Sequence, residues 1–251
     1  MSHRHHMTVA EERKGTGVRG IKMDVKVLEE NETTVKLILK NTTHAMVNAV
    51  RRSIMSGIPV AAIEDVHIYE STGVMFDEML AARLGLTPLK MDTKGYKLGD
   101  KVKLVLEKEG PCTVYSKDIK STDPKIEVAK PNIIITKLGE NQKLKIEMDA
   151  VVGTGKQHSK WQPALASYIE MPTIKGEKGK SYKADVIETI LDESQRDLPV
   201  SKGQIIEYDP TTFVFTVESH GNLTPKELFA QAIESIKVKS EDFRKELKNL
   251  S

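Results

Sequence analysis

The sequence has a single cysteine, Cys112, in 251 residues. That excludes an intramolecular disulfide and a cysteine-rich metal site, and it fits a reducing compartment. No apolar run approaches the roughly 20 residues that a membrane helix needs. No secretory signal is visible at the N-terminus, so a cytoplasmic protein without membrane attachment is expected. An excess of either charge is also missing, with 38 Lys plus Arg against 36 Asp plus Glu. A chain that grips nucleic acid alone usually carries a clear basic excess, because phosphate neutralisation supplies much of the affinity. Autonomous nucleic-acid binding is therefore not expected.

Catalytic and cofactor patterns are lacking too. Residues 153–160, GTGKQHSK, look like a phosphate loop but fail on spacing: Ala150 stands where the first glycine belongs and Gln157 where Ser or Thr belongs. His158 occupies the third glycine of a dinucleotide fingerprint. His44, His67, His158 and His220 are scattered without ligand spacing, and His3, His5 and His6 read as a tail. Cys112 follows Gly110 and Pro111 in an expected turn and reads as structural. No catalytic, cofactor or metal residue is assigned.

What is present is a set of well-marked elements. Ile21, Met23, Val25 and Val27 alternate with polar residues, a turn follows at 29–32, and Val35, Leu37 and Leu39 alternate again, so a hairpin is expected. Met46, Val47, Val50 and Ile54 recur at helical spacing around Arg51 and Arg52. Asn41, Thr42 and Thr43 offer N-caps; Gly57 suits a left-handed residue after the last turn, and Pro59 forbids continuation. A short helix over 76–84 should set Phe76, Met79, Leu80 and Leu84 on one apolar face. Strands are expected at 102–106, 133–138, 144–150 and 213–217. The lysine- and glycine-rich stretch 175–183 reads as a loop, with a modest helix at 185–193.

Thr224, Pro225 and Glu227 form a helix start with the elements of a capping box. Beyond them Phe229, Ile236, Phe243 and Leu250 recur every seventh residue, with Ile233 and Leu247 beside that row. Such a stripe belongs either to a core helix on its own sheet or to a helix that meets another chain. Its length and two phenylalanines favour the second. The loop GTGKQHSKWQPA, 153–164, has two readings, a partner contact through Lys156 and Trp161 or an anchor within its own domain.

Four segments carry a family resemblance: NAVRRSIMSGIPVAAIEDVHIYE at 48–70, FDEMLAARLGLTPL at 76–89, GTGKQHSKWQPA at 153–164, and FTVESHGNLTPKEL at 215–228. The first resembles the helix and strand that open the alpha subunit of bacterial RNA polymerase. Together, and in this order, the four are similar to the archaeal counterpart, the D-type alpha-like subunit, and to the third subunit of eukaryotic polymerase II. The resemblance implies an α+β fold with a discontinuous alpha-like dimerisation domain, 20–56 and 165–251, and an inserted β-rich domain at 57–164. It implies a non-catalytic assembly scaffold of DNA-directed RNA polymerase. Its partners would be the smaller alpha-like subunit L, the small zinc-binding subunits N and P, and the second-largest subunit. In position, Phe229, Ile233, Ile236 and Phe243 correspond to the helix that meets the alpha-like partner, and Arg51 and Arg52 to a surface facing a large subunit. Some relatives bind an iron–sulfur cluster through a cysteine-rich insertion. With Cys112 alone, no cluster is expected here. The alternative outside this family is a stand-alone α+β module that homodimerises through its last helix.

Overall fold

The computed structural model describes residues 23–92, 95–175 and 205–249. In chain order the elements are β1 (Asp24–Glu30), β2 (Thr34–Lys40), α1 (His44–Ser56), β3 (Pro59–Ser71), α2 (Asp77–Gly85), β4 (Leu89–Lys90), β5 (Lys101–Glu109) and β6 (Cys112–Tyr115). They continue with β7 (Lys120–Ser121), β8 (Glu127–Val128), β9 (Ile134–Leu138), β10 (Lys143–Thr154), β11 (Ala164–Lys175), β12 (Ile205–Ser219) and α3 (Pro225–Asn249). The fold class is α+β, as expected. The lysine-rich stretch beyond Lys175, the helix expected at 185–193, and Ile21 and Leu250 all lie outside the described residues.

The described residues fall into two compact units. One takes 23–30, 35–48, 167–175 and 205–216. Its sheet has the order β1-β2-β12-β11. β1 and β2 form the expected antiparallel hairpin, from Asp24 opposite Lys40 to Glu30 opposite Val35, with an irregularity between Val27 and Glu29. Consecutive residues of a strand face opposite ways, so the buried run Phe213-Val214-Phe215 requires cover on both faces. On one face the His44 ring meets Phe213 edge-on at 4.7 Å, and Tyr168 stacks on Phe215. His44 Nε2 lies 2.5 Å from a Glu170 carboxylate oxygen. On the other, Val214 packs with Ile38 and Met171, and Leu28 joins them.

The second unit takes 31–34, 49–92, 95–166 and 217–249. Its main sheet, β3-β10-β5-β7, is antiparallel throughout. Val102, Leu104 and Leu106 on β5, and Leu144, Ile146, Met148 and Ala150 on β10, are buried in the alternating register that their spacing predicts. The opposite face is wet, and its charges are matched across strands: Lys101 with Asp65, Lys143 with Glu109, Lys145 with Glu107. Exposed pairs of this kind contribute about 0–1 kcal/mol each, so their effect is chiefly on solubility and register.

Two expectations are corrected here. Only Leu80 and Leu84 of α2 are buried; Phe76 and Met79 are exposed. A nine-residue helix lying on a narrow support buries one i, i+4 row and no more. Gly57, in turn, is not left-handed; among the described glycines, Gly99 and Gly221 have positive φ. Gly57 is needed for space, since a Cβ there would stand 3.0 Å from the Ser53 carbonyl and 3.1 Å from Ser235 Oγ.

Tyr96 donates its phenol hydrogen to an Asp123 carboxylate oxygen at 2.7 Å. Burial, then that hydrogen bond and the neighbouring carboxylates, push its pKa from 10.0 up to about 12. The fold thus favours the protonated phenol. This contribution to stability is complete below pH 10 and is lost as pH rises from 10 towards about 12. Denaturant unfolding across that range should show a loss of stability that the Tyr96→Phe protein lacks. Parallel pH profiles for the two proteins would overturn the assignment.

Candidate assembly surfaces

The last helix starts as its sequence predicts. Thr224 Oγ1 accepts from the Glu227 amide at 3.3 Å, and the Glu227 carboxylate accepts from the Thr224 amide at 2.9 Å. This reciprocal cap satisfies two donors that the first turn leaves open. Pro225, Leu228 and Ala232 form its buried row. The row continues to Ser235, whose hydroxyl reaches towards the Gly57 carbonyl at 3.4 Å, while Ser53 Oγ donates to the Ala232 carbonyl at 3.0 Å. Small side chains on both helices allow α3 to pass close to the end of α1.

The apolar stripe is turned partly away from this contact. Phe229 and Ile236 are half-buried in their own chain, whereas Ile233 and Leu247 are exposed and Phe243 is 66% exposed. From Lys237 to Asn249 every residue is exposed. These thirteen residues extend about 20 Å beyond the described residues that support the helix. Of the four residues expected on a partner surface, Phe229 and Ile236 lie at the core edge, and Ile233 and Phe243 are clear of it.

At the end of α1, Arg52 is exposed and Arg51 is half-buried, with its guanidinium 3.3 Å from Met55 Sδ. The 153–164 loop lies against this helix end. A Cβ at Gly155 would stand 2.3 Å from the Met55 carbonyl oxygen, so glycine is required for the approach. The next residue, Lys156, is exposed. Sequence positions a hundred apart are thereby brought to one place.

Of the two readings left open for the 153–164 loop, Trp161 takes the internal anchor. Its side chain is buried, its indole N–H donates to the Val151 carbonyl at 2.9 Å, and its ring lies where a Cβ on Gly153 would be, 2.4 Å from Cε2. Lys160, which sequence reasoning did not single out, completes the anchor. Its ammonium sits 4.5 Å from the centre of the Trp161 ring, donates to the Ile63 carbonyl at 3.0 Å and pairs with Glu64. Nothing in the lysine's local sequence signals this, because its partners come from β3, nearly a hundred residues earlier.

Residues 67–170 match the RNA polymerase Rpb3/RpoA insert domain. Over most of its length the chain is similar to DNA-directed RNA polymerase subunit Rpo3 of several organisms. It is 33% identical to that of Pyrococcus furiosus, with 91% of this chain and 98% of the relative covered. For Methanosarcina acetivorans the identity is 34%, covering 88% and 96%; for Natronomonas pharaonis it is 33%, covering 87% and 95%. A polymerase insert domain set between strands and helices of an α+β fold, with near full-length identity of a third, places the chain by descent: it belongs to the Rpo3 family of DNA-directed RNA polymerase subunits, the alpha-like subunits of the archaeal enzyme.

Proposed function

We propose that this subunit is a non-catalytic assembly scaffold. It pairs through α3 with the smaller alpha-like subunit, docks the second-largest subunit on the α1 end, and takes up the small zinc-binding subunits. In this reading the dimerisation domain is discontinuous, 20–56 and 165–251, around an insert at 57–164, and the subunit works in the cytoplasm. The observation that carries the proposal is the overhanging half of α3, with Phe243 and Leu247 in solvent and Ile233 exposed just before it, all at coiled-coil spacing. Arg52 and Lys156 supply exposed positive charge at the α1 end for the second contact.

No catalytic residue, metal or cluster is assigned to this chain. An iron–sulfur cluster uses four thiolates, and the sole thiol, Cys112, sits at the start of β6 against the Glu109 carbonyl. The test is to purify the full-length chain alone and with co-expressed smaller alpha-like subunit. The chain alone should make no RNA from template and nucleotides and carry no iron, and the pair should elute as a heterodimer. Template-dependent synthesis by the chain alone, or a stable homodimer that excludes the alpha-like partner, would sink the proposal.

A further inference from the structure

The exposed Phe76 and Met79 are not scattered apolar residues. With Val74 and Ile134 they line an open groove of about 470 Å³ between the start of α2 and β9. Val74 is 85% exposed and Phe76 74%. Phe76 also holds the N-cap position of α2 and makes no side-chain capping bond. Ser, Thr, Asp or Asn is favoured there, so an outward phenylalanine breaks a local rule and stays largely uncovered among the described residues.

The charges around the groove differ from those on the nearby sheet. Asp77 and Glu78 lie between Phe76 and Met79 in sequence, in the first turn of α2, and Lys137 lines the groove from β9. Among the described residues none of these three has an ion-pair partner, whereas Lys101, Lys143 and Lys145 on the wet face of β3, β10 and β5 are paired strand to strand. Arg83, the other base in the groove, is committed to the Ile134 and Ile135 carbonyls. The groove therefore offers an apolar floor and an unmatched base on the β9 side, with two unmatched acids in the first turn of α2, between the floor residues Phe76 and Met79 in sequence.

We propose that this groove docks an amphipathic helix of another polymerase subunit. That helix would seat two apolar side chains one turn apart between Phe76 and Ile134. A lysine or arginine would lie near Asp77 and Glu78, and a carboxylate near Lys137. The inference rests on the scaffold reading but uses a surface remote in sequence from α3.

The experiment uses the full chain, tagged, in a Cys112→Ser background with Val74→Cys as a reporter and Lys103→Cys, on the wet face of β5, as a control. Thiol labelling is followed in the isolated chain and in polymerase assembled on it. The reporter should label about tenfold more slowly, or less, in the assembled enzyme, the scale of one buried anchor, while the control is unchanged. Adding Phe76→Ser should restore fast labelling of the reporter in the assembled enzyme without lowering the chain's melting temperature. A photo-crosslinker at Met79 should then capture a peptide of another subunit with the charge pattern given above. Unchanged reporter labelling in an intact polymerase overturns the groove and leaves the scaffold reading standing. A captured peptide without those charges also overturns it. If no polymerase subunit joins the tagged chain, both readings fall.

Discussion

Replacing Phe243 by aspartate should abolish pairing with the smaller alpha-like subunit and leave the chain itself folded. The side chain is exposed on the part of α3 that no other described residue covers, so the substitution removes little packing among the described residues. At an exposed helical position the effect on stability should stay within about 0.5 kcal/mol. In the complex the same aspartate would have to enter an apolar seam without a partner. Burying such a charge costs several kcal/mol, and about 4 kcal/mol corresponds to roughly a thousandfold loss of association. Ala232→Asp provides the contrast, because Ala232 is buried against the end of α1 and its carbonyl accepts from Ser53. That variant should unfold or melt far lower, with or without a partner. Ile236→Asp should do some of each. Size-exclusion chromatography of co-expressed pairs, with thermal melts of the free chain, separates the cases. A heterodimer that survives Phe243→Asp rejects α3 as the pairing surface.

The residues that could be read from sequence are those whose neighbours are local. β5 and β10 bury every second residue, and that alternation is written in the chain. The Thr224–Glu227 cap spans four residues and is equally legible. What escaped depends on contacts distant in sequence. The covered row of α3 continues through Ala232 and Ser235, side chains too small or too polar to count in an apolar period, so the stripe alone overstated how much of the helix is uncovered. Gly57 was legible as a glycine at a helix end, but its reason is space, limited by Ser53 four residues before it and by Ser235, 178 residues away. Phe76 and Met79 matched a buried helical face by spacing, although α2 has support for only one row. In the assembly surfaces, Arg51, Arg52 and Lys156 were identifiable one by one. That Lys156 stands at the end of α1 follows only from the fit of Gly155 against Met55.

The loop that carries Lys156 should separate cleanly into a part that holds the insert together and a part that does not. Trp161→Ala removes a buried indole and its hydrogen bond to Val151, and should cost about 3–5 kcal/mol of stability. Lys156→Ala, at an exposed position, should change stability by no more than about 0.5 kcal/mol. Gly153→Ala should also destabilise, because the new methyl would meet the indole at 2.4 Å from Cε2 and 2.6 Å from Cδ2. A fused ring wedged in a core has no flexible end to yield, so overpacking of about 1–3 kcal/mol is expected. The mechanism makes a further demand that neither single change tests. If the methyl is costly only because the indole is there, Gly153→Ala should cost almost nothing in the Trp161→Ala protein, where it enters the space that the ring vacated. The two changes should therefore be strongly non-additive, with a coupling comparable to the whole Gly153→Ala penalty. Denaturant unfolding of the wild type, both single variants and the double variant measures it. Additive losses would mean that glycine is required at 153 for its backbone and not for its contact with Trp161, and the indole would not be the anchor of this loop.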